Sequence, residues 1–136
     1  MLFRSAYSII AETDHDNSLS FFSEKTAKPF IAKRLFVAFT GYKFLENLRS
    51  VGFKTFGTVI DESYDLIEDD NERYTRAFAQ VKYLCNQDQL SIINQVRDVL
   101  EYNFNHIMTT DWTNYASDQI REVINLAHSR LASVPG

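Results

Sequence analysis

Residues 35–41 read Leu35-Phe-Val-Ala-Phe39-Thr40-Gly41, and this stretch decides the fold class. The first five residues are an unbroken apolar run of strand length. They lack the alternation that a sheet with one wet face imposes. A run of this kind belongs to a strand buried on both faces, as in a parallel sheet covered by helices. Gly41 turns the chain, and Phe44, Leu45, Leu48 and Val51 then recur at helical spacing. Gly52 stands where the C′ residue of that helix belongs.

Working outward, Tyr7-Ser-Ile-Ile-Ala-Glu12 is short and β-rich and reads as an earlier strand. Residues 14–20 are polar and without period, and so form a loop. Ser23-Glu24-Lys25-Thr26 has the form of a helix start with Ser23 as N-cap. Pro29 either kinks that helix or delays its start, because it has no N–H to donate. Lys54-Thr-Phe56 reads as a third, short strand. Strand, helix, strand, helix, strand is the pattern of parallel βαβ units. The expected class is α/β: a small Rossmann-like parallel sheet of about three strands, followed by a helical C-terminal half.

In that second half, Asp69-x-x-Glu72 resembles a capping box. It precedes a stripe of Tyr74, Ala77, Phe78, Val81 and Leu84. Asp88 caps the next helix, with Leu90, Ile93, Val96, Leu100, Phe104 and Ile107 as its stripe. A last helix from about Asp111 places Trp112, Ala116, Ile120, Val123, Ala127 and Leu131 on one face. The chain has 136 residues, 45% of them hydrophobic, which suits one compact domain. We divide it into an α/β nucleotide-binding-like core at 1–60 and a helical part at 61–136. Three short strands make a thin sheet, so the chain reads as a reduced version of a larger fold or as one that relies on a partner.

Composition excludes several classes. With 4 Gly there is neither a P-loop nor a GxGxxG turn. The single Cys85 excludes an internal disulfide framework and a cysteine zinc cluster; it reads as a buried thiol at the end of a helix. No apolar run approaches the roughly 18 residues a membrane span needs, and the N-terminus does not have the form of a signal peptide. The expectation is a soluble protein of a reducing, cytoplasmic compartment, without membrane contact. The net charge of −4 argues against nucleic acid as a partner. The charge is uneven, however. Residues 1–60 carry eight Lys/Arg against five acids, and residues 61–136 carry six against thirteen. A basic first half suits a phosphate-bearing ligand.

In open α/β sheets, ligands bind beyond the carboxyl ends of the strands. Here those ends are Glu12-Thr13, Phe39-Thr40-Gly41 and Phe56-Gly57. The helix start at Ser23 offers free N–H groups and a partial positive charge. Lys25 and Lys28 add full charges, and Glu24 can accept hydrogen bonds from a ribose diol. A well-capped helix with Glu24 favouring the dipole and Lys25 in solvent accounts for the same residues. Asp14-His15-Asp16 and the acidic stretch Asp61, Glu62, Asp65, Glu68, Asp69 and Asp70 contain metal-ligand types. They read as a solvated loop and an acidic helix start; a divalent cation is conceivable there but unsupported, and no cofactor is expected. Ser63 and Tyr64 have no recognisable base, and His106 and His128 read as structural or exposed.

The segments Tyr7–Glu12, Phe21-Phe-Ser-Glu24-Lys25 and Leu35–Phe39 with Gly41 together resemble the nucleotide-sugar-binding lobe of the α-1,3-fucosyltransferase family. That lobe belongs to the GT-B type of glycosyltransferase. Gly52-Phe-Lys-Thr-Phe56 followed by Ile60-Asp-Glu-Ser-Tyr-Asp65 is similar to glycosyltransferase-like proteins, many of them viral or bacterial. The likeness covers roughly residues 7–84. It implies that Glu24 and Lys25 contact the ribose and diphosphate of a nucleotide sugar, with Glu12 matching the family's strand-end Glu. Ser23, as N-cap, and Lys28, as a further charge, are added to the candidate binding site by the helix start itself. The family's Pro after the motif helix is absent, with Lys33-Arg34-Leu35 in its place. The family's N-terminal lobe, which binds acceptor and supplies the catalytic base, has no counterpart in these residues. The implied function is nucleotide-sugar binding, with transfer to a hydroxyl dependent on a missing lobe or partner. A non-catalytic interaction or homo-oligomerisation module, including a truncated gene product, is the alternative, because three amphipathic helices exceed what a thin sheet covers.

Overall fold

The computed structural model describes residues 6–11, 24–110 and 118–133. The elements run β1 (Tyr7–Ala11), α1 (Glu24–Ile31), β2 (Leu35–Phe39), α2 (Phe44–Ser50), a 3₁₀ turn (Ser63–Leu66), α3 (Asp70–Cys85), α4 (Gln89–Thr109) and α5 (Asp118–Ser133). The architecture is mixed α/β. Strands β1 and β2 pair in parallel, in a register that sets Tyr7 against Leu35 and Ala11 against Phe39. Leu35, Phe36, Val37 and Ala38 are all buried, which is what an unbroken apolar run requires. Helix α1 is the crossover between the strands and packs on β1, α4 and α5, while α3 packs on β2.

Helix α1 begins at Glu24 and runs through Pro29 without delay. It stops in a Schellman motif. The Arg34 N–H donates to the Pro29 carbonyl at 2.9 Å and the Lys33 N–H to that of Phe30 at 3.2 Å. Lys33 takes the left-handed conformation at C′, with φ +55°. Helix α2 ends the same way at Gly52, where φ is +98°. There the Phe53 N–H donates to the Leu48 carbonyl at 3.1 Å. A Cβ on residue 52 would also meet the His106 ring at 2.6 Å, so glycine is required twice over. Asp69 and Asp88 cap α3 and α4 by accepting from the Glu72 and Ser91 N–H groups, at 2.8 and 3.0 Å.

The third strand does not form. Residues 53–56 take no regular secondary structure, and among the described residues the sheet has two strands, β1 and β2. A side chain supplies the pairing instead. The Lys54 N–H donates to Asn103 Oδ1 at 2.9 Å, and Asn103 Nδ2 donates to the Lys54 carbonyl at 2.8 Å. The amide thus imitates a neighbouring strand with one donor and one acceptor. Aromatic rings fix the same segment from below. Phe53 stacks on Phe30 at 4.1 Å between centroids, and Phe56 meets Phe36 edge-on at 5.1 Å.

The helical stripes match their expected faces in part: Ala77, Leu84, Val96, Leu100 and Ile107 are buried as expected. In α4 the buried positions are Ile92, Val96, Leu100, Asn103 and Ile107, while Leu90 is 65% exposed. In α3 they are Arg73, Ala77 and Leu84, while Phe78 is 50% exposed. Each helix places one polar residue, Asn103 or Arg73, at a core position, and this shifts the true face away from the most apolar one. In α5 Ile124 is buried and Leu131 is exposed; Trp112 and Ala116 lie outside the described residues. Asn103→Ala would remove both bonds to Lys54. We expect a loss of roughly 2 kcal/mol in unfolding free energy, read by urea titration. A loss below about 0.5 kcal/mol would mean that the aromatic contacts alone hold the segment.

Candidate functional site

The carboxyl end of β2, where a ligand crevice is expected, is filled by the chain itself. On the side of β2 away from β1, the Ala38 N–H donates to Tyr64 Oη at 3.1 Å. The Thr40 carbonyl accepts from Arg73 Nε at 2.8 Å. Arg73 is buried, and its Nη1 donates to the Ile67 and Glu68 carbonyls at 3.0 and 3.1 Å, with Nη2 on the Asp70 carboxylate. Asp65 occupies the N-terminus of α2. Its carboxylate accepts from the Leu45 N–H at 2.8 Å and the Glu46 N–H at 3.1 Å, and its carbonyl accepts from Lys43 N–H at 2.8 Å. Asp65 is therefore a cap delivered from twenty residues downstream, on the anion-favouring end of the helix dipole. Lys43, at φ +66°, turns the chain into α2.

The end at Phe56-Gly57 is closed in the same manner. The Phe56 N–H donates to Glu62 Oε2 at 3.0 Å, and Arg49 Nη2 lies 3.4 Å from Glu62 Oε1. Burial pushes the carboxyl groups of Asp65 and Glu62 above the ordinary carboxylate range. The N–H groups donated to them pull back part of the way. Burial likewise pushes the Tyr64 phenol well up. The acidic stretch is thus partly consumed in holding the backbone. Among the described residues no group of three or more His, Cys, Asp or Glu side chains is placed to hold a metal ion. Asp14, His15 and Asp16 lie outside the described residues.

A groove of about 880 Å³ lies along α1, between the outer side of β1 and helix α5. Lys25, Lys28, Arg34 and Arg130 line it, and none of its lining side chains among the described residues is acidic. The cations come from three places in the chain. Lys25 and Lys28 stand one turn apart on α1. Arg34 is the C″ residue of the Schellman motif, and its Nη1 lies 3.4 Å from Ser8 Oγ on β1. Arg130 comes from the last turn of α5. The floor is aliphatic, with Ile9, Ile31, Leu126 and Leu131 the largest members.

Of the expected site residues, Lys25 and Lys28 meet in this groove and are exposed. Glu24 opens α1, but its side chain, together with Ser23 and Glu12, lies outside the described residues. Neither Arg34 nor Arg130 was singled out as a site residue from the sequence. Arg34 was visible as one of the residues that replace the resembled family's Pro. Arg130 had no signal beyond its charge. His106 is structural: Nε2 binds the Val51 carbonyl at 2.7 Å, and the ring stands edge-on to Phe53. His128 Nε2 lies 3.1 Å from the Met108 carbonyl on the surface. Cys85 is exposed, not buried, because the buried face of α3 ends at Leu84. No helix among the described residues is long and apolar enough to cross a membrane. Comparison with protein-family models, curated proteins and solved structures found no match for this chain.

The raised carboxyl groups fix the sign of a pH dependence. A carboxyl whose value is higher folded than unfolded contributes stability fully only below its ordinary value. That contribution is lost as pH rises through the folded value. We expect Glu62→Gln to gain stability relative to wild type between pH 4 and pH 7, measured from urea midpoints at each pH. A relative loss over that interval would show that the donated N–H bonds outweigh burial.

Proposed function

We propose that the chain is a glycosyltransferase-like binding domain that holds the diphosphate of an activated sugar in the groove along α1. One observation carries the reading: Lys25, Lys28, Arg34 and Arg130 line a single groove in a chain of net charge −4. Four cations over a low-dielectric floor attract a phosphate more strongly than the same charges in open water. The volume, about 880 Å³, falls in the range of roughly 300–1,000 Å³ common to small-molecule sites. In the form the resemblance implies, the ligand is a nucleotide diphosphate sugar and Glu24 holds the ribose. Lys25 then faces the diphosphate from the first turn of α1. In transfer, an acceptor hydroxyl oxygen bonds to the anomeric carbon as the bond to the diphosphate oxygen breaks. The cations stabilise the charge that the leaving diphosphate gains. The base that takes the hydroxyl proton belongs to a partner or to a further lobe. On the same reading the chain is a reduced Rossmann-like lobe of the cytoplasm, with residues 53–56 standing in for the third strand.

A second reading, as an interaction or homo-oligomerisation module, is favoured by Ile9, Leu126 and Leu131. Each is more than half exposed on the same groove. The two readings separate in a thermal-shift screen of GDP, UDP, ADP and CMP at millimolar concentration. A ligand that binds only the folded chain stabilises it by RT ln(1 + [L]/Kd), about 2.7 kcal/mol at a hundredfold excess. We expect a shift with a nucleoside diphosphate that is lost in Lys25→Ala. The absence of any shift, together with a dimer by light scattering, would favour the module.

A further inference from the structure

We infer that a second groove, between the turn after Phe56 and the junction of α3 with α4, binds a neutral saccharide. Among the described residues it shares no lining residue with the groove along α1, and it does not rest on the diphosphate reading. The groove has two lobes. One, of about 540 Å³, has Gly57, Asp61 and Gln80 in its wall. The other, of about 180 Å³, has Gln87, Asp88, Ser91 and Gln95. Thr58, Val59 and Tyr83 line both, so Tyr83 stands where the lobes meet. Tyr83 is 44% exposed, and the buried Val59, Ile60 and Ile92 close the groove from below.

The polar side chains of this wall are already held in place. Asp61 Oδ1 accepts from the Ser63 N–H at 3.0 Å, and Asp88 Oδ2 accepts from the Ser91 N–H at 3.0 Å. Gln80 Oε1 accepts from the Asp61 N–H at 3.0 Å, and Gln95 Nε2 donates to the Ser91 carbonyl at 3.3 Å. Each of these bonds uses part of a side chain's capacity. A carboxylate offers about four lone-pair sites, and a side-chain amide offers both donors and an acceptor. A ligand that meets groups held in this way loses less in ordering them. Sugar hydroxyls donate and accept at once, which matches carboxylates, amides and the Thr58 and Ser91 hydroxyls side by side. The C–H face of a sugar ring is apolar and packs on an aromatic face, here that of Tyr83. A phosphate would instead meet Asp61 and Asp88 with like charge. Those two carboxylates belong to different lobes, so they do not converge on one cation. Two lobes on either side of one ring suit two linked sugar units.

Amide NMR titration of the whole chain with maltose, lactose and diacetylchitobiose, alongside triglycine, tests the inference. We expect at least one of the three sugars to shift the signals of Thr58, Gln80, Tyr83, Gln87 and Gln95 saturably. Tyr83→Ala should weaken that binding roughly tenfold, and Tyr83→Phe should leave it within about twofold. Tyr83 is exposed, so the fold tolerates both changes. Four results would overturn the inference: no saturable shift with any of the sugars, shifts confined to other residues, triglycine binding as tightly as the sugars, or sugar affinity unchanged in Tyr83→Ala.

Discussion

A strand buried on both faces, with a strand partner on only one edge among the described residues, leaves a row of backbone groups that water cannot reach. That constraint on β2 organises the molecule. An unmet N–H or carbonyl there costs as much as a lost hydrogen bond. The chain answers with side chains: Tyr64 receives the Ala38 N–H, and Arg73 donates to the Thr40 carbonyl. Both residues must then be buried, and each brings its own neighbourhood. Tyr64 fixes the 3₁₀ turn, which presents Asp65 to α2. Arg73 fixes the start of α3 through the Ile67 and Glu68 carbonyls. The turn, the cap of α2 and the entry into α3 thus follow from one unpaired edge.

The same device explains why this sheet is narrow. A third strand would have satisfied the segment at Lys54 with a ladder. A single amide on α4 does so with two bonds, and the aromatic contacts of Phe53 and Phe56 replace the packing a strand would have brought. Asp65 and Arg73 fill the carboxyl end of β2 and Glu62 closes the turn at Phe56-Gly57, while the basic groove lies along α1. There Lys25, Lys28, Arg34 and Arg130 line a groove with an aliphatic floor.

Much of this was legible locally. The apolar run of β2 announced its double burial. Gly52, Asp69 and Asp88 announced helix ends, because each acts on neighbours within five residues. What escaped depends on partners far along the chain. Asn103 reaches Lys54 across 49 residues and Asp65 reaches Leu45 across 20, and no period or spacing encodes either. The stripes of α3 and α4 were right at Ala77, Leu84, Val96, Leu100 and Ile107 and missed the polar core positions for a related reason. Apolar periodicity assumes apolar cores, and Arg73 and Asn103 hold core positions by virtue of hydrogen bonds. At the groove, Lys25 and Lys28 were visible from their place at a helix start. Arg130 was not, because its role depends on how α5 packs against α1.

The dependence of the first half on α4 bears on the order in which the chain is made. Asn103 holds Lys54, His106 holds the Val51 carbonyl and Glu101 meets Lys33 at 3.0 Å, all from one helix and across 49, 55 and 68 residues. While the ribosome is still extending the chain, β1, α1, β2 and α2 can emerge and collapse. They cannot complete their hydrogen bonding until α4 has cleared the exit tunnel. For that interval the nascent half carries an apolar strand with an unmet edge, the kind of surface that recruits chaperones or neighbouring chains.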